Sequence, residues 1–137
     1  PGDGEVLVRV QAAPINPGDL GLLIGPADLT TLKSAGDKTL AEVPAAQLAT
    51  VGGRIGQSLP VGVEGAGVVI AAGDDRASQA LIGRTVAVFG GAMFAEYRLH
   101  RAADVLVLPI GTAPSEGASS FANPMTALGM IETMRME

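Results

Sequence analysis

The side chains that could carry chemistry in this sequence are amides, hydroxyls and carboxylates rather than metal ligands. The chain has no cysteine and a single histidine, His100. A catalytic zinc ion needs about three protein ligands, and a structural zinc site typically uses about four thiolates. We therefore expect no bound metal, and we expect His100 to lie at the surface or at a rim. A bound reactant would then have to be polarised by hydrogen bonds from such side chains rather than by a metal ion.

Asn16, directly before Pro17, is the strongest local candidate for such a hydrogen-bonding role. Asparagine is also favoured in turns before proline for purely local reasons. The sequence therefore leaves a functional contact and a structural turn equally open. Asp19 is expected to cap a short helical turn over residues 20–24.

Glu64 lies in an apolar, glycine-rich segment, where an unpaired carboxylate would be costly to bury. We expect it to pair with an arginine or with backbone amides. The neighbouring Gly62, Gly65 and Gly67 do not form a dinucleotide fingerprint, because they lead into an apolar strand rather than a helix. These glycines instead predict a close approach between backbones, or a bulge.

The elements that must position these groups are mainly strands. Apolar and polar side chains alternate along the first of them, as in a half-buried strand. Strands are predicted over residues 4–12, 62–72, 85–89, 94–99 and 105–108. Helices are predicted from Pro114 and over residues 125–134, where Leu128, Ile131 and Met134 form an apolar stripe. Many short strands and few helices predict a mainly β fold, a partly open β-barrel in which Tyr97 is packed.

Composition limits the classes of function. With 47% hydrophobic residues, the chain can bury a core. The net charge is −5, without a cluster of lysine and arginine, so no nucleic-acid partner is expected. No apolar run approaches the roughly 20 residues of a membrane span, and no signal peptide is visible. The lack of cysteine favours a cytoplasmic setting.

Three segments in this order carry a resemblance to a known family: Asn16-Pro17-Gly18-Asp19-Leu20, Gly62-Val63-Glu64-Gly65-Ala66-Gly67-Val68-Val69 and Asn123-Pro124-Met125-Thr126-Ala127-Leu128. The series resembles the catalytic domain of the medium-chain dehydrogenase/reductase superfamily, in its zinc-free quinone oxidoreductase branch. The resemblance implies a GroES-like barrel over residues 1–122 and, over 123–137, the start of a helix that leads to a nucleotide-binding domain outside this chain.

The resemblance also implies roles for individual residues. Zinc-dependent relatives have cysteine at the position of Asn16 and histidine at that of Val63. In zinc-free relatives the Asn-Pro turn lies beneath the nicotinamide, which makes Asn16 a catalytic and cofactor-binding candidate. Asn123 and Thr126 are cofactor-binding candidates, although capping of the last helix by Asn123 would also explain the pair. Met93 and Phe94 are candidate substrate-binding residues, with core packing as an equal alternative.

Residues 26–58 resemble an insertion, because the segment that connects the first two motifs is usually shorter in the family. Leu48, Val51 and Ile55 fit one face of a short helix that begins near Pro44, which Gly52 and Gly53 would weaken. The segment is either a surface elaboration or a lid over a substrate cleft.

The expected function is hydride transfer from NADPH or NADH to a quinone or an activated carbonyl or alkene. The cofactor would be bound mainly by the further domain, so this chain alone is expected to be inactive. One alternative is an enoyl-thioester or enone reductase, although the segment after Asn16 lacks the tyrosine of related enoyl reductases. Another is a stand-alone GroES-like binding module. The apolar stripe of the last helix predicts self-association.

Overall fold

The computed structural model describes residues 1–136, which divide into two compact units, residues 1–14 with 62–136 and residues 15–61. The strands are β1 (Glu5–Ala12), β2 (Asp28–Ala35), β3 (Lys38–Glu42), β4 (Glu64–Ala72), β5 (Thr85–Phe89), β6 (Tyr97–Arg101) and β7 (Leu106–Val107). The helices are α1 (Pro17–Leu23), α2 (Arg76–Gln79), α3 (Pro114–Gly117) and α4 (Ala122–Met136), with 3₁₀ helices at Ala45–Arg54 and Ala102–Asp104.

The first unit is built on an open, antiparallel sheet with the strand order β6-β1-β4-β5-β7. The predicted mainly β fold, with few helices and a C-terminal helix, is confirmed. β6 begins at Tyr97 rather than at residue 94. Tyr97 is 52% exposed, so the prediction that it packs inside a barrel is wrong. The reason is that β6 is an edge strand, paired on one side only by β1.

The core of this unit is formed by valine side chains that point to the same face of the sheet. Val6 and Val8 of β1 point inwards and pack with Val69 of β4 and with Val86 and Val88 of β5. All five side chains are essentially buried. Because successive side chains of a strand point to opposite faces, the valines cover one face of the sheet while Arg9 stays exposed on the other.

The close approach of backbones that the glycines predicted is confirmed between β1 and β4. Gly67 faces Val10 in the register of these strands. A Cβ atom at Gly67 would lie 2.1 Å from the carbonyl oxygen of Arg9, and one at Gly65 would lie 2.8 Å from that of Ala12. Only glycine therefore allows the two strands to pair at this distance.

The N-terminus of α2 is capped by Asp75. Its carboxylate accepts hydrogen bonds from the backbone N–H groups of Ser78, at 2.9 Å, and Gly4, at 2.7 Å. The adjacent Ser78 hydroxyl and these N–H groups lower the pKa of Asp75 to about 2, from an ordinary value of 3.8. The cap thus joins α2 to the residue that precedes β1.

Asp75→Ala is expected to lower the thermal midpoint of unfolding at neutral pH. Because the folded-state pKa lies below the unfolded-state value, the carboxylate stabilises the fold above about pH 3.8, and this contribution is lost as the pH falls towards 2. The difference between wild type and variant should therefore shrink over that interval. Thermal melts at pH 7, 4 and 2 measure this difference in midpoint. The control is the Asp74→Ala variant, which changes an exposed neighbouring carboxylate. Equal behaviour of the two variants would contradict the capping role.

The second unit, residues 15–61, contains α1, the β2–β3 hairpin and the 3₁₀ helix Ala45–Arg54. The helix predicted near Pro44 is present, with Pro44 at its N-cap, although as a 3₁₀ helix. The hairpin was not predicted. Arg54 donates hydrogen bonds to the carbonyl oxygens of Gly21 and Leu22 at the C-terminal end of α1. No apolar side chain of this unit is buried, whereas Asn16 and Asp19 are.

The last helix, α4, has no buried residue within its described length. The predicted stripe of Leu128, Ile131 and Met134 lies on this helix, but these side chains are between 49% and 76% exposed. No helix in residues 1–136 combines the length and apolar character needed to cross a membrane.

Candidate active-site segments

Asn16 is the N-cap residue of α1 and has an extended backbone, with φ −88° and ψ 156°. The Asp19 carboxylate accepts a hydrogen bond of 2.8 Å from the Asn16 N–H, and the Asn16 carbonyl accepts one of 2.9 Å from the Asp19 N–H. Asp19 thus takes part in capping, but the prediction that it precedes the helix is wrong, because α1 begins at Pro17 with Asn16 as its N-cap and Asp19 as its third residue. Asn16 is 8% exposed, so its position is fixed by the turn and by its surroundings.

The second carboxylate oxygen of Asp19, Oδ1, is buried and has no hydrogen-bond partner among residues 1–136. Buried polar atoms of proteins nearly always have a hydrogen-bond partner. The Asn16 turn therefore offers a buried acceptor next to the candidate amide.

A loop after β5 carries the two candidate substrate-binding residues. Gly90, Gly91 and Ala92 all have positive φ, and Ala92 is the only residue other than glycine with this conformation in the described part of the chain. A left-handed backbone costs a non-glycine residue roughly 1–2 kcal/mol. Such strain is found preferentially at functional sites, where the surrounding structure holds it in place.

Hydrogen bonds to the two residues just before β4 hold this loop. The Val63 carbonyl accepts from the N–H groups of Gly90 and Gly91, and the Gly62 carbonyl accepts from the Met93 N–H. Met93 is buried in the core of the first unit, which favours the packing alternative for this residue. Phe94 is 42% exposed and available for contact with a ligand.

Asn123 and Thr126 both lie on the exposed first turns of α4. Residues three apart on a helix are neighbours, so the two side chains share one face. The Thr126 hydroxyl donates a hydrogen bond of 2.7 Å to the Ala122 carbonyl, which leaves its oxygen able to accept another. Asn123 does not hold the N-cap position, because α4 already begins at Ala122.

Glu64 takes the place of a capping residue for α4. Its Oε2 accepts hydrogen bonds of 2.9 Å from the backbone N–H groups of Phe121 and Ala122. The side chain is fully buried, and the predicted pairing with backbone amides is confirmed. A carboxylate at this place also interacts favourably with the positive end of the helix dipole. This anchoring of α4 was not predicted.

Three consecutive residues, Gly62, Val63 and Glu64, therefore hold two candidate segments of the first unit. Gly62 and Val63 bind the loop that leads to Phe94, and Glu64 binds the start of the helix that carries Asn123 and Thr126. Asn16 belongs to the other unit.

His100 is partly buried, and this burial, with a contribution from Arg98, lowers the pKa of its imidazole, while Asp104 opposes the shift. In residues 1–136 no group of three or more histidine, cysteine, aspartate or glutamate side chains is arranged to hold a metal ion.

Comparison with known proteins agrees with the fold. The model of the alcohol dehydrogenase GroES-like domain matches residues 2–110. None of the curated proteins matches the chain.

Several solved structures are similar over nearly the whole chain. A Mesorhizobium loti protein, provisionally described as an NADPH:quinone reductase, is 27% identical with a TM-score of 0.65, over 98% of this chain and 33% of that one. A Bacillus thuringiensis protein of the same provisional description is 25% identical, with a TM-score of 0.56, over 93% and 31%. The CurF ER cyclopropanase of curacin A biosynthesis is 26% identical, with a TM-score of 0.62, over 93% and 34%. The chain spans about a third of their length.

Proposed function

The chain belongs to the alcohol dehydrogenase GroES-like domain family, and from this premise we propose that it is the catalytic domain of a zinc-free, NAD(P)H-dependent quinone oxidoreductase. The resemblance drawn from the sequence motifs is confirmed by this match and by the reductases among the structural relatives. In our proposal residues 1–122 form the catalytic domain, and α4 leads towards a nucleotide-binding domain. The substrate is a small quinone, or another activated carbonyl or alkene, in a cytoplasmic enzyme that self-associates through α4.

The observation that carries the proposal is the fixed Asn16 turn. Its backbone is held by the buried carboxylate of Asp19, so little reorganisation is needed when a ligand arrives. A side-chain amide has both a donor and an acceptor, and can orient a carboxamide or a substrate oxygen. The relatives described as NADPH:quinone reductases support the choice of reaction.

We propose that the candidate residues of each unit serve the nicotinamide end of the cofactor. When bound, the nicotinamide supplies the hydride. Asn16 would orient the reacting groups, and the Thr126 hydroxyl and the Asn123 amide would offer hydrogen bonds to the nicotinamide or its ribose. Phe94 would form an apolar wall for the substrate. Gly62 precedes β4, and Gly65 and Gly67 lie within this strand rather than before a helix, so the phosphates would need the nucleotide-binding domain.

Asn16→Ala, made in a full-length enzyme that carries this domain, is expected to lower kcat/KM about 10–100-fold. This corresponds to about 1.4–2.7 kcal/mol of transition-state stabilisation. Because Asn16 is the N-cap of α1, the alanine variant should also lose roughly 0.5–2 kcal/mol of stability, and its thermal midpoint should fall accordingly. Steady-state kinetics with NADPH and a soluble quinone, together with thermal melts, measure both quantities.

Asn16→Ser separates the two roles of the residue. Serine caps a helix about as well as asparagine, so this variant should keep the stability of the turn. It lacks the amide, so its kcat/KM should fall as far as that of Asn16→Ala. If Asn16→Ser is as active as the wild type, or if activity falls only together with stability, Asn16 acts as a turn residue alone.

A second candidate function is reduction of an enoyl thioester or enone, which the similarity to the CurF ER cyclopropanase favours. The α1 segment, residues 17–23, contains no tyrosine that could donate a proton, which counts against it. Comparing kcat/KM for a quinone with that for a short enoyl thioester, in the same full-length enzyme, decides between the two.

A further inference from the structure

The second unit contains an open cavity of about 810 Å³ whose lining comes entirely from its own residues. The end of α1, the β2–β3 hairpin, the 3₁₀ helix Ala45–Arg54 and the segment after it all contribute. This volume lies within the range of about 300–1,000 Å³ that is typical of small-molecule sites. The cavity is therefore large enough for a ligand of moderate size.

The lining is aliphatic and exposed. Leu22, Leu32, Leu40 and Leu48 all line the cavity, and each remains between 41% and 47% exposed. No apolar side chain in residues 15–61 is buried, so these leucines do not form a closed core. A contiguous exposed apolar surface of this kind marks a binding site in soluble proteins.

The charges around the cavity limit the class of ligand. Arg54 is the only ionisable residue of the lining, and its guanidinium is engaged by the carbonyl oxygens of Gly21 and Leu22. No acidic side chain and no aromatic ring contributes. A nucleotide, a sugar or a metal ion would find too few polar partners, whereas either Thr39 or Gln57, the uncharged polar side chains of the lining, can bond one polar group.

We infer that this cavity binds an uncharged, largely aliphatic small molecule with one hydrogen-bonding group. The concave shape favours a small molecule over a protein surface. An uncharged molecule is favoured because Arg54, the one charged residue of the lining, is already turned to the carbonyl oxygens of Gly21 and Leu22. The inference concerns binding alone, and it holds whether or not the domain serves in quinone reduction.

The probe for the test is N-phenyl-1-naphthylamine, an uncharged dye that fluoresces in apolar sites. The 137-residue chain has no tryptophan, so its own emission does not interfere. We expect saturable binding of one dye per chain that changes little with salt, since no charge takes part. Straight-chain alcohols should displace the dye, with affinity rising roughly fourfold per added methylene up to the length of the cavity.

Two leucines of β2 provide a matched pair of variants. Leu32 lines the cavity and is 47% exposed, while Leu29, on the same strand and 50% exposed, does not line it. Leu32→Asp should weaken dye binding at least tenfold, and Leu29→Asp should leave it unchanged. Circular dichroism checks that both variants fold. If Leu32→Asp does not fold, Leu40→Thr replaces it, with an expected weakening of several-fold.

Three results would overturn the inference. One is the absence of saturable dye binding by the wild-type chain. Another is an equal effect of Leu29→Asp and Leu32→Asp. The third is a wild-type dimer in light scattering that binds no dye and that Leu32→Asp dissociates, because a second copy of the chain would then cover the cavity.

Discussion

Glu64→Ala is expected to lower the free energy of unfolding of the first unit by about 3–5 kcal/mol, the largest effect of any single change proposed here. The variant removes a fully buried carboxylate that accepts hydrogen bonds from the N–H groups of Phe121 and Ala122. Each charge-assisted bond contributes about 1.5–3 kcal/mol, and the deleted side chain leaves a cavity. Chemical denaturation followed by circular dichroism measures the loss.

The place where the Glu64→Ala variant loses local stability is a second quantity that can be measured. Because Glu64 holds the start of α4, amide hydrogen exchange should accelerate at Phe121 and Ala122 more than in the centre of β4. Glu64→Gln keeps an acceptor oxygen in place and should lose only about 1–2 kcal/mol.

The control for Glu64 is an exposed carboxylate with the same kind of bond. Glu116 accepts a hydrogen bond of 2.8 Å from the Ala113 N–H at the start of α3. Solvent can replace this bond, so Glu116→Ala should cost less than about 1 kcal/mol. If the two alanine variants cost the same, burial of Glu64 does not strengthen its bonds, and its anchoring role is wrong.

The strands of the first unit could be predicted because one face of the sheet is buried. Valine alternates with polar residues over 4–12 because only one face of this strand is buried, and β1 lies within the predicted range. The sequence of the β2–β3 hairpin shows no such alternation, because nearly all its side chains are exposed. Its only local signal is the two-residue turn Gly36-Asp37, where Gly36 has positive φ.

The candidate site was predictable only where its contacts are local. Asp19 and Asn16 are three residues apart, so a capping pattern in the sequence could indicate their bond. Glu64 is 57 residues from Phe121 and 58 from Ala122, the first residue of α4, and Arg54 binds carbonyls 32 and 33 residues away. Nothing in the sequence around Glu64 identifies the helix that it caps. Chain topology decides such pairs, and a single sequence does not contain that information directly.

Gly67→Ala is expected to lower the free energy of unfolding by about 3 kcal/mol, the upper part of the usual range for overpacking. The added Cβ would lie 2.1 Å from the Arg9 carbonyl oxygen, and backbone atoms of a paired strand cannot move aside as a flexible side chain can. β1 and β4 must therefore separate locally. Gly129→Ala is the matched control, because a Cβ at Gly129 meets nothing within 4 Å and alanine favours a helix by roughly 0.5–1 kcal/mol. Urea denaturation should thus move the two variants in opposite directions, and a Gly67→Ala variant as stable as the wild type would show that β1 and β4 pair less closely than described.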